Sequence, residues 1–351
     1  MGGRRGRKKS HLKMPKGKKD NNPAASGSSP PPPPPPWIEL PRDVTANILR
    51  RLAPVDILEN ARGVCTTWRS VCREPSLWRV IDLKTCDDNP RRLFGPDDTC
   101  RLAVDLSQGE LIEINIGHFG TDDLLLYVSV RSSNLKRLTL ARCDCISGLG
   151  LTRAVKNFPE LEELHLVFMP GISALDIESI GISCPNLKSF TFNNRAFRFP
   201  LVETDDSYAM TIAKNMPNLQ HLRLFGNRLT SQGLEAILDG CPRLESLDLR
   251  QCFMIMADFQ GDLGKKCVDR IKHVRGPSDS TADYEWDARI FDDEDDVFDD
   301  DYDDIYYSDD YYEDYGDYGF YEDYDDYTNP FNDLPFPANQ VWYMDDFGDY
   351  I

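Results

Sequence analysis

Leucine recurs through the middle of the chain in one cadence, L-x-x-L-x-L or a close variant: LIEINI from Leu111, LKRLTL from Leu135, LEELHL from Leu161, LKSFTF from Leu187, LQHLRL from Leu219 and LESLDL from Leu244. Successive starts lie 24, 26, 26, 32 and 25 residues apart. Alternation within each unit puts the apolar side chains on one face and the intervening residues on the other, which predicts a short strand with one buried face. Between the strands the apolar spacing becomes helical, as in Leu151/Val155/Phe158, Ile177/Ile180/Cys184, Ala209/Ile212/Met216 and Leu234/Ile237/Cys241. In four of the six units a proline (Pro159, Pro185, Pro217 or Pro242) stands two places before the first leucine, where it ends the helix. One strand and one helix per repeat predict an α/β fold over residues 81–275, a curved solenoid whose parallel strands line the concave side. The 32-residue interval holds an insertion, NNRAFRFPLVETDDSY, which is expected to bulge from one rim and in which Phe197 and Phe199 alternate with Arg198.

A different pattern precedes the repeats. Between Arg42 and Ala53 the apolar residues Val44, Ile48, Leu49 and Leu52 share one face at helical spacing; Pro54 forces a break; a second run carries Ile57, Leu58 and Ala61; a third carries Cys65, Trp68 and Cys72. Three short helices in residues 37–80 bury too little surface to stand alone, so their apolar face needs the rest of the chain or a partner.

Composition separates the ends from this folded middle. Residues 1–36 join a basic run, RRGRKK, to Asn/Ser/Gly-rich sequence and seven consecutive prolines, Pro30 to Pro36. They lack core-forming residues and are expected to be disordered, the prolines as an extended rod. From residue 283 onward 26 acidic residues face one base, Arg289, a net of −25; since the whole chain carries −19, residues 1–282 carry +6. That region also holds 13 of the 15 tyrosines, and residues 276–351 are expected to form a disordered acidic Asp/Tyr-rich tail. Ten scattered cysteines without a Cys-x-x-Cys pair, and an N-terminal segment without the apolar run of a signal peptide, point to a reduced compartment, nucleus and/or cytoplasm. No apolar stretch approaches membrane-spanning length.

The stretch LPRDVTANILRRLAPVDILENARGVCTTWRSVCREPSLW resembles an F-box, in the order Leu40-Pro41, Ile48-Leu49-x-x-Leu52, Asp56-Ile57-Leu58, Val64-Cys65-x-x-Trp68-Arg69 and Leu77-Trp78. With the Cys-Pro-x-Leu repeats behind it, the chain is similar to F-box/leucine-rich-repeat proteins, most closely to the plant members described as Skp-interacting. The resemblance implies that residues 37–80 dock on the Skp adaptor of a Skp–cullin–F-box (SCF) ubiquitin ligase, which supplies cullin and RING subunits, while the repeats hold a protein substrate. Carried over onto matching positions, adaptor binding falls to Leu40, Pro41, Ile48, Leu49, Leu52, Leu58, Val64, Cys65 and Trp68. Part of this set also has to fill the module's own small core, and Trp78 is expected to stitch the module to the first repeat.

The concave face is built from the residues flanking the inward leucines, and Arg137, His165, Arg223, Phe225, Asp248 and Arg250 are its candidate substrate contacts. The stripe is largely basic with one aromatic, which suits an acidic or phosphorylated peptide. The five histidines show no metal-ligand spacing, Cys143-x-Cys145 has no second pair, and no phosphate-binding glycine loop occurs, so neither a catalytic site, a metal nor a cofactor is expected. Specific nucleic-acid binding is not expected either. Two other readings remain: an F-box scaffold that works with the adaptor outside any ligase, and a nuclear binding protein whose acidic tail holds basic partners, without ligase function.

Overall fold

The computed structural model describes residues 37, 40–85, 93–197, 204–286 and 288–291. The expectations for residues 1–36, for Arg198 and Phe199 and for residues 292–351 lie outside that set.

The chain enters through α1 (Arg42–Leu49), which stops five residues before Pro54, and α2 (Pro54–Asp56) starts with that proline at its first position. There the missing N–H has no intrahelical partner to lose and the fixed φ suits the first turn. A π-helical turn (Ile57–Ala61) carries α2 into α3 (Arg62–Val64). Cys65 then adopts an extended conformation and caps α4 (Thr66–Val71), its Sγ accepting from the Trp68 N–H at 3.5 Å. A 3-10 turn (Pro75–Trp78) leads directly into the first strand.

The repeats follow in strict alternation: β1 (Val80–Leu83), α5 (Pro96–Leu106), β2 (Glu113–Gly117), α6 (Asp122–Arg131), β3 (Arg137–Ala141), α7 (Gly148–Val155), β4 (Glu163–Val167), α8 (Ala174–Ser183), β5 (Ser189–Asn193). A two-residue strand β6 (Ala196–Phe197) opens the insertion; α9 (Ser207–Asn215), β7 (His221–Arg223), α10 (Ser231–Gly240), β8 (Ser246–Asp248), α11 (Met256–Phe259), α12 (Asp262–Arg270), β9 (His273–Arg275) and β10 (Ile290–Phe291) complete the order. Eight strands form one parallel sheet in the order β1-β2-β3-β4-β5-β7-β8-β9. The pairing is unstaggered, so Ile114, Leu138, Leu164, Phe190, Leu222, Leu247 and Val274 form one row and Asn115, Thr139, His165, Thr191, Arg223, Asp248 and Arg275 the next. The first row packs beneath the helices, and from Ile114 to Leu247 it is fully buried.

Seven residues after each opening leucine the chain must turn out of its strand, and the six units do this alike. Five of the six turn residues, His118, Arg142, Phe168, Gly226 and Gln251, have φ between 53° and 69°, and Asn194 is the exception. Each N–H donates to the next unit: His118 to the Ala141 carbonyl, Arg142 to Val167, Phe168 to Asn193, Asn194 to Phe225 and Gly226 to Arg250, all at 2.9–3.0 Å. The last turn, Gln251, finds no seventh repeat and donates instead to Pro277 at 3.0 Å.

A second ladder joins the helices. The Asp122 carboxylate at the start of α6 accepts from the N–H (2.8 Å) and hydroxyl (2.6 Å) of Ser147, the N-cap of α7. Asp206 before α9 does the same for Thr230, the N-cap of α10, at 2.7 and 2.5 Å. One carboxylate thus serves two orphan donors in the following repeat.

A single apolar core runs from Ala46 to Ile271, so the three-helix module and the repeats share it. Trp78, fully buried, sits in that core between the module and β1, its Nε1 donating to the Cys72 carbonyl at 2.8 Å.

The fold also continues past residue 275, into what the sequence assigns to the disordered tail. Residues 276–286 and 288–291 cross the strand face, and β10 pairs in parallel with β6. The reason is electrostatic: the acids that repel one another in a free tail meet, at Asp283 and Glu285, basic groups supplied by four strand ends, as described next.

Candidate functional site

Two surfaces carry the sequence-predicted residues. On the N-terminal module Val44, Ile48 and Leu52 are each 39% exposed and Val64 is 46% exposed. Val44 and Ile48 stand one turn apart on α1. Pro41 is exposed, and Leu40, Cys65 and Trp68 are half-buried. Leu49 and Leu58 are buried in the core with Ala46, Ile57 and Ala61. The nine candidates therefore divide into residues open to a partner and residues that hold the module together. The Trp68 indole packs against the core, while its Nε1 is a buried donor that has no hydrogen-bond partner among the described residues.

The second surface is the strand face of the repeats. A groove of about 450 Å³ opens over the later strands, lined by His165, Thr191, His221, Arg223, Asp248, Lys272, His273 and Arg275 among others. Of the predicted contacts, His165, Arg223, Asp248 and Arg250 line it. His165 Nδ1 is 2.8 Å from the Thr191 hydroxyl, and burial pushes its pKa below the ordinary 6.5 despite Glu163 nearby. Arg137 lies one strand outside it, on β3, and is occupied by Glu113, at 2.6 Å.

Phe225, Asp248 and Arg250 differ from expectation: all three are buried, not exposed on the stripe. The cause is residues 276–286, which lie over them. Tyr284 stacks on Phe225, with centroids 3.8 Å apart and planes 1° apart, and its hydroxyl accepts from Asn193 Nδ2 at 2.9 Å. Arg250 donates to both Asp248 oxygens (3.0 and 2.8 Å), to Asp283 (2.7 Å) and to the Ser280 carbonyl (2.9 Å). Asp283 also accepts from Arg275 at 2.8 Å. Glu285 lies 3.7 Å from Lys84 and 4.0 Å from Arg223. Trp286 packs on Ala141, Val167 and Phe168, and Lys84 sits over its ring. Burial drives the Tyr284 phenol well above its usual pKa of 10, so the hydroxyl stays protonated under its neighbours.

Sequence reasoning missed Lys84, Lys272, His273 and Arg275. The first lies at the end of β1 and the others on or beside β9, two strands outside the leucine cadence. The signal available was weaker: alternation in Val80-Ile81-Asp82-Leu83 and in His273-Val274-Arg275.

The geometry defines a class, a small helical module with open apolar positions fused through one core to a leucine-rich solenoid. Comparison with known proteins gives the same answer. Residues 37–84 match the F-box-like family and residues 215–238 the Leucine Rich repeat family. Among relatives from Arabidopsis thaliana, the chain is 48% identical over 245 residues to putative F-box/LRR-repeat protein 23, covering 70% of this chain and 54% of that protein. It is 44% identical over 265 residues to putative F-box protein At4g05475 (72% and 83%) and 46% identical over 247 residues to F-box protein SKIP19 (70% and 79%). The chain thus spans about half the length of the first of these relatives and about four fifths of the other two. It belongs to the F-box/LRR-repeat family. A crystal structure of the yeast Rad7 and Elc1 complex aligns at a TM-score of 0.38 and 14% identity, covering 63% of this chain and 65% of that one, too distant for any correspondence of parts to follow.

Proposed function

We propose that the protein is a substrate-recognition subunit of an SCF ubiquitin ligase: the F-box module binds a Skp adaptor, and the strand face of the repeats holds a protein to be ubiquitinated. Bond-making in such an assembly belongs to the cullin-bound machinery, and this chain contributes position. The observation that carries the reading is the set of apolar side chains left open on a module whose family match is to the F-box. Val44, Ile48, Leu52 and Val64 are exposed although a large shared core lies within reach of the same helices. Apolar side chains presented one helical turn apart suit a partner's groove or helices.

The test is a calorimetric titration of a recombinant Skp adaptor into the full chain, with Ile48→Asp/Leu52→Asp as the comparison. These two positions are exposed, so the substitution leaves the core intact. The expected Kd is about 1 µM or tighter, corresponding to roughly −8 kcal/mol, with loss of at least about 2 kcal/mol in the variant. Absence of adaptor binding by the folded chain overturns the reading. A nuclear scaffold that works through its acidic tail predicts that outcome, together with capture of basic proteins by residues 292–351.

A further inference from the structure

The strand face already holds a peptide, and that peptide belongs to the chain itself. Residues 283–286 read Asp-Tyr-Glu-Trp. Each of the four is met by a feature of the array: Asp283 by Arg250 and Arg275, Tyr284 by the face of Phe225 and the amide of Asn193, Glu285 by Arg223 and Lys84, and Trp286 by the apolar shelf of Ala141, Val167 and Phe168. Those receiving groups come from seven of the sheet's eight strands or the turns that directly follow them, and most lie on one surface of one sheet. A slot that accepts an aromatic ring between cations is a specific chemical receptor. Beside it the groove remains open, with His221, Lys272 and His273 along its wall and no strap residue other than Asp283 lining it.

We infer that the strand face is a docking site for a segment of a partner protein carrying an aromatic residue flanked by carboxylates, and that Asp283–Trp286 is a tethered copy of that ligand. The partner segment takes the Tyr284 slot and extends its further carboxylates into the open groove, toward Lys272 and Arg275. The inference deepens the ligase reading, since it names the chemistry of what the repeats hold, and it rests on that reading only for the fate of the bound protein. In the resting chain the copy competes from a tether. A tethered ligand acts at a high effective concentration, so a free segment binds weakly until the tethered ring is removed or outcompeted.

The experiment uses the full chain and one probe, a fluorescein-labelled synthetic peptide Ser-Thr-Ala-Asp-Tyr-Glu-Trp-Asp-Ala-Arg, the sequence of residues 280–289. Its binding is followed by fluorescence polarisation to the wild type, to Tyr284→Ala and, should that variant fold poorly, to Asp283→Asn/Glu285→Gln, which leaves the ring in place and loosens only its flanks. The expected result is binding about tenfold or more tighter to the variant than to the wild type, and a similar loss when the peptide's tyrosine is replaced by alanine or its acids by amides. Equal binding to wild type and variants, or indifference to the peptide's tyrosine and charge, overturns the inference. The adaptor titration is run on the same samples. Adaptor binding without peptide binding overturns this inference and leaves the ligase reading standing; peptide binding without adaptor binding does the reverse.

Discussion

Arg250 reaches Asp283 across 33 residues of sequence, at 2.7 Å, while its other nitrogens are held by Asp248. Arg250 is 3% exposed, and its guanidinium fork is filled on both sides. It therefore fastens residues 276–286 to the sheet and at the same time neutralises a buried strand carboxylate.

Replacing Arg250 by alanine leaves Asp248 with only Arg223, 3.5 Å away, as its ion-pair partner, and leaves Asp283 held by Arg275 alone. A cost of roughly 3 kcal/mol in denaturant unfolding is expected for removing one partner of a buried ion pair. Faster amide exchange confined to residues 280–291 should accompany it. Lysine should restore only part of the loss, because an ammonium cannot reproduce the two parallel bonds to Asp248.

Gly226 is the one glycine among the recurrent left-handed turns, with φ +69°. A Cβ built there lies 2.3 Å from the Asn194 carbonyl oxygen, a backbone atom that cannot move aside cheaply. Gly226→Ala is expected to destabilise the chain by about 2 kcal/mol or more in thermal or chemical unfolding. A neutral result would show that the turn relaxes.

Cysteine reactivity should separate sharply. Burial pushes the thiols of Cys143 and Cys184 up to about 12 and those of Cys72, Cys241 and Cys267 up to about 11. Cys145 is exposed and Cys65 half-buried. A short iodoacetamide pulse at pH 8, mapped by mass spectrometry, should label Cys145 first among the described cysteines and spare the seven that are buried. Comparable labelling of Cys143 would contradict the packing of its turn.

His165 supplies the pH dependence. Burial, opposed by Glu163 and reinforced by Arg223, lowers its pKa below 6.5, so the unfolded chain binds a proton more readily than the folded one at that site. The stability it contributes is present above about pH 6.5 and is lost as the pH falls through the folded value. Its imidazole resonance should titrate below 6.5, and His165→Gln should reduce the loss of stability on acidification. A titration midpoint at or above 6.5 would place the ring in solvent.

How much of this was legible in the sequence depended on how far a residue's role is set by its neighbours in the chain. Leu164 and Ile180 announce their burial through period alone, and Pro185 marks the end of its helix. β1 and β9 at the two ends of the sheet escaped because each has a repeat on only one side and carries a shortened pattern, Ile81/Leu83 and Val274. The groove was half legible: His165 and Arg223 were found from their register, whereas Lys272 and Arg275 depended on β9. Residues 283–286 were misassigned for a physical reason. Their charge reads as self-repulsion along the chain, and the opposing charges of Lys84, Arg223, Arg250 and Arg275 are spread over almost 200 positions of sequence. Only the folded sheet brings them to one side.

The common core from Ala46 to Ile271 has a mechanical meaning. Trp78 and its neighbours leave no linker between the F-box helices and β1, because the 3-10 turn that ends at Trp78 is separated from that strand by Arg79 alone. The interval between the open apolar positions of the module and the strand face is therefore a property of the fold, like the jaw of a gauge. Under the proposed function, a protein held at one end is presented at a set reach from whatever grips the other, and any search for the right distance must be made by the guest.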